Sequence, residues 1–444
     1  MATALLQLLD DQQVRDFITR GYVTFHPDFP PLFHAGILGQ IEDLFAGDGN
    51  PGNDILPRVP ELRDVLDHPV VAGALTSLLS PDYIVHPHRH CHANPVGSKG
   101  QGMHQDSYEA DQNVRHHRCR WVMAFYYPQN VDLELGPSAV LPGTQYFNDP
   151  DQAHRVDELP LCGPAGSFII IHYDLWHRAM PNSGSRDRYM VKFLFTRMKE
   201  PPDPSWDSRD PSWISGRGDP PDIICRKVWQ WLGGRDDAAE LEQAHEFDLR
   251  EALISGTESA RLQAAYALGD QGELGLHELM DELRRQADER LADNLERAHT
   301  NPCQLDALFG LTGAGAAAVP VLQQALVDDD WWIRAAAADG LGDLGMSGAR
   351  AVPELAAALD DDSKWVRRNA AEALGIIGLS GGGSVPALAE RLRDEDTAVR
   401  HNAALALAKI GPPARTAEIE LRRALEDEDY YTRSLSAGAL ERIS

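Results

Sequence analysis

A 33-residue recurrence in the last part of the chain constrains its fold more than any other feature. Arg334, Arg367, Arg400 and Arg433 stand 33 residues apart, as do Leu341, Leu374, Leu407 and Leu440. Pro320, Pro353 and Pro386 keep the period, and so do Gly345, Gly378 and Gly411. Proline suits the first turn of a helix, where its missing N–H would have had no acceptor, and glycine suits the end of one. Four residues before each arginine lies a helix-capping side chain: Asp330, Ser363, Asp396 and Asp429. The same frame set on Arg261 gives Thr257, Leu268, Gly269 and Gly272; set on Gln304 it gives Thr300, Leu311 and Gly315. Further helical sequence at 274–299 separates these two copies. Each unit reads as a short helix, an acidic turn and a second helix closed by glycine. One such pair cannot bury its own apolar face, so neighbours must stack into an α-solenoid.

The units resemble HEAT-like repeats, of the short type found in bilin-lyase-like proteins, over roughly residues 250–444. The resemblance implies a solenoid that binds a protein partner; a brace for the preceding domain is the other reading. The recurring arginines are expected to pair with the acidic turns. Trp331, Trp332, Trp365, Tyr430 and Tyr431 open the second helices and are expected to pack against the adjacent repeat.

Ahead of the repeats the chain changes character. Runs such as Trp121–Tyr127, Ser167–His172 and Tyr189–Thr196 are β-branched and aromatic, with turn residues at their ends, and read as strands. Residues 199–222 (KEPPDPSWDSRDPSWISGRGDPPD) then read as a linker, and the helix-like DIICRKVWQWLGG follows. Trp206, Trp213, Trp229 and Trp231 give this stretch more apolar bulk than a free tether carries. The organisation expected is a catalytic domain over 1–200, a Pro/Trp-rich linker and docking helix over 201–235, and the solenoid over 236–444.

Charge and cysteine content narrow the function. The net charge is −27, of which residues 201–444, with 44 acids and 25 bases, hold −19. Such a surface repels nucleic acid and anionic membranes, so neither is expected as a partner. No apolar run reaches the ~20 residues of a membrane helix. The opening MATALLQLLDDQQ lacks the basic flank of a secretion signal. Five scattered cysteines make no disulfide framework, and a cytoplasmic location is expected.

The chemistry lies in the first half. In QGMHQDSY, His104 and Asp106 stand two apart, on one side of an extended strand. They can share a metal ion, but a third ligand is needed. His177 follows 73 residues on, just past the apolar run SFIIIH, whose own His172 is the competing candidate. Two histidines and one carboxylate leave adjacent coordination positions open, as in non-haem Fe(II) oxygenases. Eleven residues after His177, Arg188 opens the strand RYMVKFLFT. A guanidinium there suits a bidentate grip on a carboxylate such as the distal one of 2-oxoglutarate.

Together these pieces resemble the phytanoyl-CoA dioxygenase-like Fe(II)/2-oxoglutarate oxygenases. The matching segments are HQD at 104–106, RWVMAFYY at 120–127, GPSAVLPGTQ at 136–145 and H-x4-N-x5-R at 177–188. The opening LLDDQQVRDFITRGYVTF is similar as well, and coverage is roughly residues 5–200. The resemblance implies a multidomain chain: a mainly-β double-stranded β-helix (a cupin-like jelly roll) with flanking helices, then the α-solenoid of HEAT-like repeats. It implies His104, Asp106 and His177 as iron ligands, Arg188 as the 2-oxoglutarate anchor, and Gln105 and Trp121 beside the co-substrate. Ala179 and Gln145 stand where the family often has a hydroxyl residue and a histidine, which puts one co-substrate hydrogen bond in doubt.

The cofactors expected are Fe(II), 2-oxoglutarate and O2. The reaction expected is oxidation, chiefly hydroxylation, of an unactivated C–H bond in a small-molecule substrate, with release of succinate and CO2. An intact Asp106 argues against halogenation, which needs that coordination position empty. Desaturation and cyclisation by the same oxidant stay open. The alternative is a HEAT-repeat adaptor carrying a degenerate oxygenase domain. His86, His88, His90 and His92 alternate along one expected strand and could line the pocket, whereas His116 and His117, in the polar run RHHRCR, read as loop residues.

Overall fold

The computed structural model describes residues 5–106, 116–149, 153–214, 220–235, 248–293 and 305–444. The chain divides into two compact units: Met1–Asp106, Cys119–Arg197 and Pro201–Pro220 form the first, and Ser107–Arg118, Met198–Glu200 and Pro221–Ser444 the second.

The first unit is a jelly roll of two antiparallel sheets. Its strands are β1 (Tyr22–Phe25), β2 (Tyr83–Asn94), β3 (Trp121–Tyr126), β4 (Ser138–Val140), β5 (Leu159–Pro160), β6 (Phe168–His172), β7 (His177–Ala179) and β8 (Arg188–Arg197). The large sheet runs β1-β6-β3-β8-β2 and the small one β5-β4-β7. Every residue of β3, β6 and β8 is buried, which explains why these strands read as near-continuous apolar runs rather than alternating ones. The helix Asp11–Arg20 leads into β1; Asp10 caps it through the Gln13 N–H, and Gln13 returns a bond to the Asp10 N–H. Trp206 donates from its indole to Asp11 (2.7 Å), which ties the segment around Trp206 to this helix.

The four histidines of β2 do not share one regular face. The ladder with β8 is in register from Arg89↔Phe193 to Asn94↔Arg188, then shifts between Arg89 and Val85. This irregularity separates His86, which meets the Trp121 ring edge-on, from His90 and His92.

In the second unit the repeats alternate seven-residue helices with helices of 13 or 14 residues: Val319–Ala325 with Trp331–Asp343, Val352–Ala358 with Lys364–Ile377, Val385–Arg391 with Thr397–Ile410, and Glu418–Ala424 with Tyr430–Ile443. Pro320, Pro353 and Pro386 sit in the first turns of the short helices. Asp330, Asp396 and Asp429 cap the long helices through the N–H groups of Trp332, Ala398 and Thr432; Ser363 holds the same position without a side-chain bond. Thr257 caps Glu258–Gly269, whereas Thr300 and Gln304 lie outside the described residues.

The recurring arginines tie each repeat to the next. Arg334, Arg367 and Arg400 meet Asp361, Asp394 and Asp427 at 2.6, 2.9 and 3.1 Å. Each also donates to the carbonyl six residues back, at 2.9 Å. Trp332 and Trp365 are buried, while Trp331, Tyr430 and Tyr431 are half-buried. Trp229 and Trp231 belong to this unit and are buried; the Trp231 indole donates to Glu200 at 2.9 Å.

His116 and His117 lie outside any helix or strand, as expected from the polar run, but both are buried. His116 lies 3.6–3.9 Å from Asp339, Asp343 and Glu372, with Arg368 paired to Glu372 alongside. The His117 ring stacks on Phe309 and its Nδ1 is 2.7 Å from the Tyr266 hydroxyl. No helix among the described residues is long and apolar enough to cross a membrane.

Candidate metal centre

The site is assembled where residues 98–106 run against β7. Gly100 permits this approach: its φ is +72°, and a Cβ there would lie 2.3 Å from the Ala179 carbonyl oxygen. Gln101 N–H then donates to Ala179 O (2.9 Å), and His104 and His177 exchange backbone bonds of 3.0 and 2.9 Å. Two histidines 73 positions apart thus become direct partners, with ring centroids 4.6 Å apart. Asp106, two residues on, faces both: Oδ1 is 3.5 Å from His104 Nε2, and Oδ2 is 3.8 Å from His177 Nε2.

The imidazoles are aimed. His104 Nδ1 lies 2.9 Å from Gly102 O, and His177 Nδ1 lies 2.9 Å from Leu175 O. A carbonyl partner requires a proton on Nδ1, which leaves each Nε2 lone pair facing Asp106. This is the outer hydrogen bonding that metal-bound histidines need. Burial pushes the His177 pKa down to about 4, and the hydrogen bond to Asp106 raises that of His104. Burial alone would raise the Asp106 carboxyl, but the Lys192 ammonium and the two histidines hold it well below the usual carboxylate range. One ligand atom from each of the three residues falls within a sphere that could hold a metal ion.

A cavity of about 170 Å³ opens over this cluster, lined among others by His92, Phe125, Arg188, Met190 and Lys192. The β2–β8 register builds one wall in rows: Asn94 beside Arg188, His92 beside Met190, and His90 beside Lys192. Phe125 of β3 faces Lys192 from the other side. Asn182 and Asn94 hold the far end, Asn182 donating to Asn94 O (2.7 Å) and Asn94 to Gly136 O and Met180 O (3.0 and 2.9 Å).

Arg188 is the decisive group for a ligand. It is 1% exposed, and Nε donates to Gly136 O at 3.0 Å, yet among the described residues neither terminal amino group has a hydrogen-bond partner. A buried guanidinium with both ends of its fork unpaired fits a carboxylate that enters from outside. The cluster and the arginine therefore fit a metal ion and 2-oxoglutarate.

Three candidates are placed elsewhere. Gln105 spends its amide on Phe147 O and Asp174 O (3.1 and 2.6 Å) and does not line the cavity. Trp121 shares a face of β3 with Phe125 but lies one end along, against His86 and Tyr173. His172 is buried between Phe17 and Tyr146, and its Nδ1 accepts from Asp174 N–H. Of the β2 histidines, His92 lines the cavity and His90 meets Asn50. Phe125 and Lys192 are cavity residues that the motifs did not single out. A lysine inside the apolar run RYMVKFLFT was the available signal for the second.

Comparison with known proteins gives the same division of the chain. Residues 39–190 match the phytanoyl-CoA dioxygenase (PhyH) family, and residues 289–375 and 385–444 match HEAT repeats. No curated protein matches the chain. Among solved structures, the chain is similar to the non-haem α-ketoglutarate-dependent carbocyclase SnoK from nogalamycin biosynthesis (16% identity, 43% of this chain and 85% of that one, TM-score 0.37). It is also similar to EctD from S. alaskensis with bound Fe (16%, 43% and 77%, TM-score 0.38). A third is HygX from Streptomyces hygroscopicus with nickel and 2-oxoglutarate bound (14%, 43% and 88%, TM-score 0.34). The chain carries a phytanoyl-CoA dioxygenase domain, of the Fe(II)/2-oxoglutarate-dependent oxygenases, joined to HEAT repeats.

Proposed function

We propose that the protein hydroxylates an unactivated C–H bond of a small-molecule metabolite, with His104, Asp106 and His177 holding Fe(II) and Arg188 holding the distal carboxylate of 2-oxoglutarate. The observation that carries this reading is the buried Arg188 fork, unpaired at both ends, beside a preformed cluster of three ligands. Iron with O2 and 2-oxoglutarate supplies the oxidant, and succinate and CO2 are the co-products. The chain's own part is to place these groups. The Nδ1 contacts to Gly102 O and Leu175 O orient the imidazoles, and the β2–β8 pair supplies one wall of the cavity.

The intact ligand set also weighs against a degenerate oxygenase serving as an adaptor. A CoA thioester's phosphates would call for a basic patch, and the basic run RHHRCR does not offer its histidines to one: His116 and His117 are buried, which supports a small metabolite. The family match of the repeats supports a protein-docking role for the second unit.

The test is a metabolite screen read by substrate-stimulated succinate release from 2-oxoglutarate with added Fe(II). The expected hit gains one oxygen atom, and turnover is lost in His104→Ala, Asp106→Ala and His177→Ala. Turnover that survives His177→Ala would refute the ligand assignment.

A further inference from the structure

Lys192 gives the cavity a positive charge that the metal and co-substrate do not use. It stands on β8 one turn of the side-chain alternation beyond Met190, on the same face as Arg188, and is 6% exposed. Its ammonium lies 2.7 Å from Asp106 Oδ2, the single carboxylate recorded against it among the described residues.

The charges of the cavity can be counted. A divalent metal and Arg188 bring three positive charges, and Asp106 with the two carboxylates of 2-oxoglutarate brings three negative ones. Arg178, also in the lining, is paired through two bonds with Glu158 (2.6 and 2.8 Å). Burial keeps His88 and His92 neutral, with pKa values pushed down to about 3. Among the described residues, Lys192 is then the positive charge left over. An unbalanced buried charge is costly, and a ligand of opposite sign relieves that cost.

We infer that Lys192 is a specificity-determining residue, and that the substrate is an anion whose carboxylate it receives beside the metal. This rests on the oxygenase reading given above. Once Asp106 is shared with a dication, its hold on the ammonium weakens, and Lys192 pairs in register with Phe125, which also lines the cavity. A neutral side chain would have sufficed if the substrate were neutral.

The experiment uses the full chain loaded anaerobically with Fe(II) and 2-oxoglutarate, with loading read from the visible charge-transfer absorption of the pair. The probes are small aliphatic and aromatic acids, each matched with its primary amide, and binding is read by calorimetry. Acids are expected to bind at least about tenfold more tightly than their amides, the difference one charge-assisted hydrogen bond makes. Lys192→Met should erase that preference and keep the absorption, and Lys192→Arg should restore it. Acids and amides that bind alike, or fail to bind, to a loaded protein would overturn the inference. So would loss of the absorption in Lys192→Met, which would make Lys192 a support for Asp106. Absence of the absorption in the unmodified protein would instead refute the oxygenase reading beneath it.

Discussion

Arg188→Met separates a ligand anchor from a structural arginine, because the two roles predict opposite signs. In the ligand-free protein both terminal amino groups of Arg188 are buried and unpaired. A buried unsatisfied donor costs about 1–3 kcal/mol, so the pair costs about 2–6 kcal/mol. Methionine fills similar space without donors. It forfeits one bond to Gly136 O, worth about 1 kcal/mol. The variant should therefore be at least as stable as the parent without 2-oxoglutarate. With 2-oxoglutarate at one hundred times its Kd, the parent gains about 2.7 kcal/mol. Losing a bidentate charge-assisted contact, about 3–5 kcal/mol, weakens binding by about two to three and a half orders of magnitude, and the gain disappears. Thermal denaturation of both proteins with and without 2-oxoglutarate, in the presence of Mn(II), reads both effects. A variant that is destabilised by more than about 2 kcal/mol yet still stabilised by 2-oxoglutarate would refute the reasoning.

Other perturbations test other parts. His177→Ala should abolish metal binding measured by calorimetry, whereas His172→Ala should keep it and lose about 2 kcal/mol of stability, because that ring packs near Phe17 and Tyr146 and accepts from the Asp174 N–H. His88 and His92, pushed down to about 3, and His177, to about 4, bind fewer protons folded than unfolded below pH ~6.5. Stability of the metal-free protein should thus rise with pH from about 4 to 6.5 and fall on acidification, and His92→Gln should flatten the slope by about 1.4 kcal/mol per pH unit in denaturant titrations. In the solenoid, Arg367→Met removes the charge-assisted bonds to Asp394, which keeps the Asp396 N–H and the more distant Arg391, and should cost about 2 kcal/mol. Arg433→Met, which loses a bond to Asp427 O, should cost about 1 kcal/mol by the same titration.

The parts of the molecule that were legible in sequence are those set by local chemistry or by period. The 33-residue spacing of Arg, Pro and Gly follows from caps, first turns and helix ends, so the repeats could be framed residue by residue. His104 and Asp106 stand two apart in one segment, which is no strand but meets His177 through a single bridge at His104, and His177 to Arg188 is a single turn held by Asn182. What escaped depends on contacts between distant segments. His116 and His117 look solvated because their burial comes from Tyr266, Phe309, Asp339 and Glu372, more than a hundred residues later. The alternating histidines of β2 suggested one face, but the ladder with β8 shifts between Val85 and Arg89, around Pro87, which has no N–H to give it. Gln105 sits between two ligands yet turns its amide to Phe147 O and Asp174 O, and Trp121 lies on the cavity-facing side of β3 at the wrong end. Those positions depend on the Phe147 and Asp174 carbonyls and on the strand length, neither of which a motif carries.

The central claim is that His104, Asp106, His177 and Arg188 together hold one metal ion and one 2-oxoglutarate. Anaerobic titration of the metal-free protein with Fe(II) in the presence of 2-oxoglutarate, followed by visible absorption, tests it most directly. The account predicts a charge-transfer band that saturates at one equivalent of iron, vanishes in His177→Ala, and in Arg188→Met forms only at far higher 2-oxoglutarate. A protein that binds iron but shows no band, or a band indifferent to both substitutions, would contradict it.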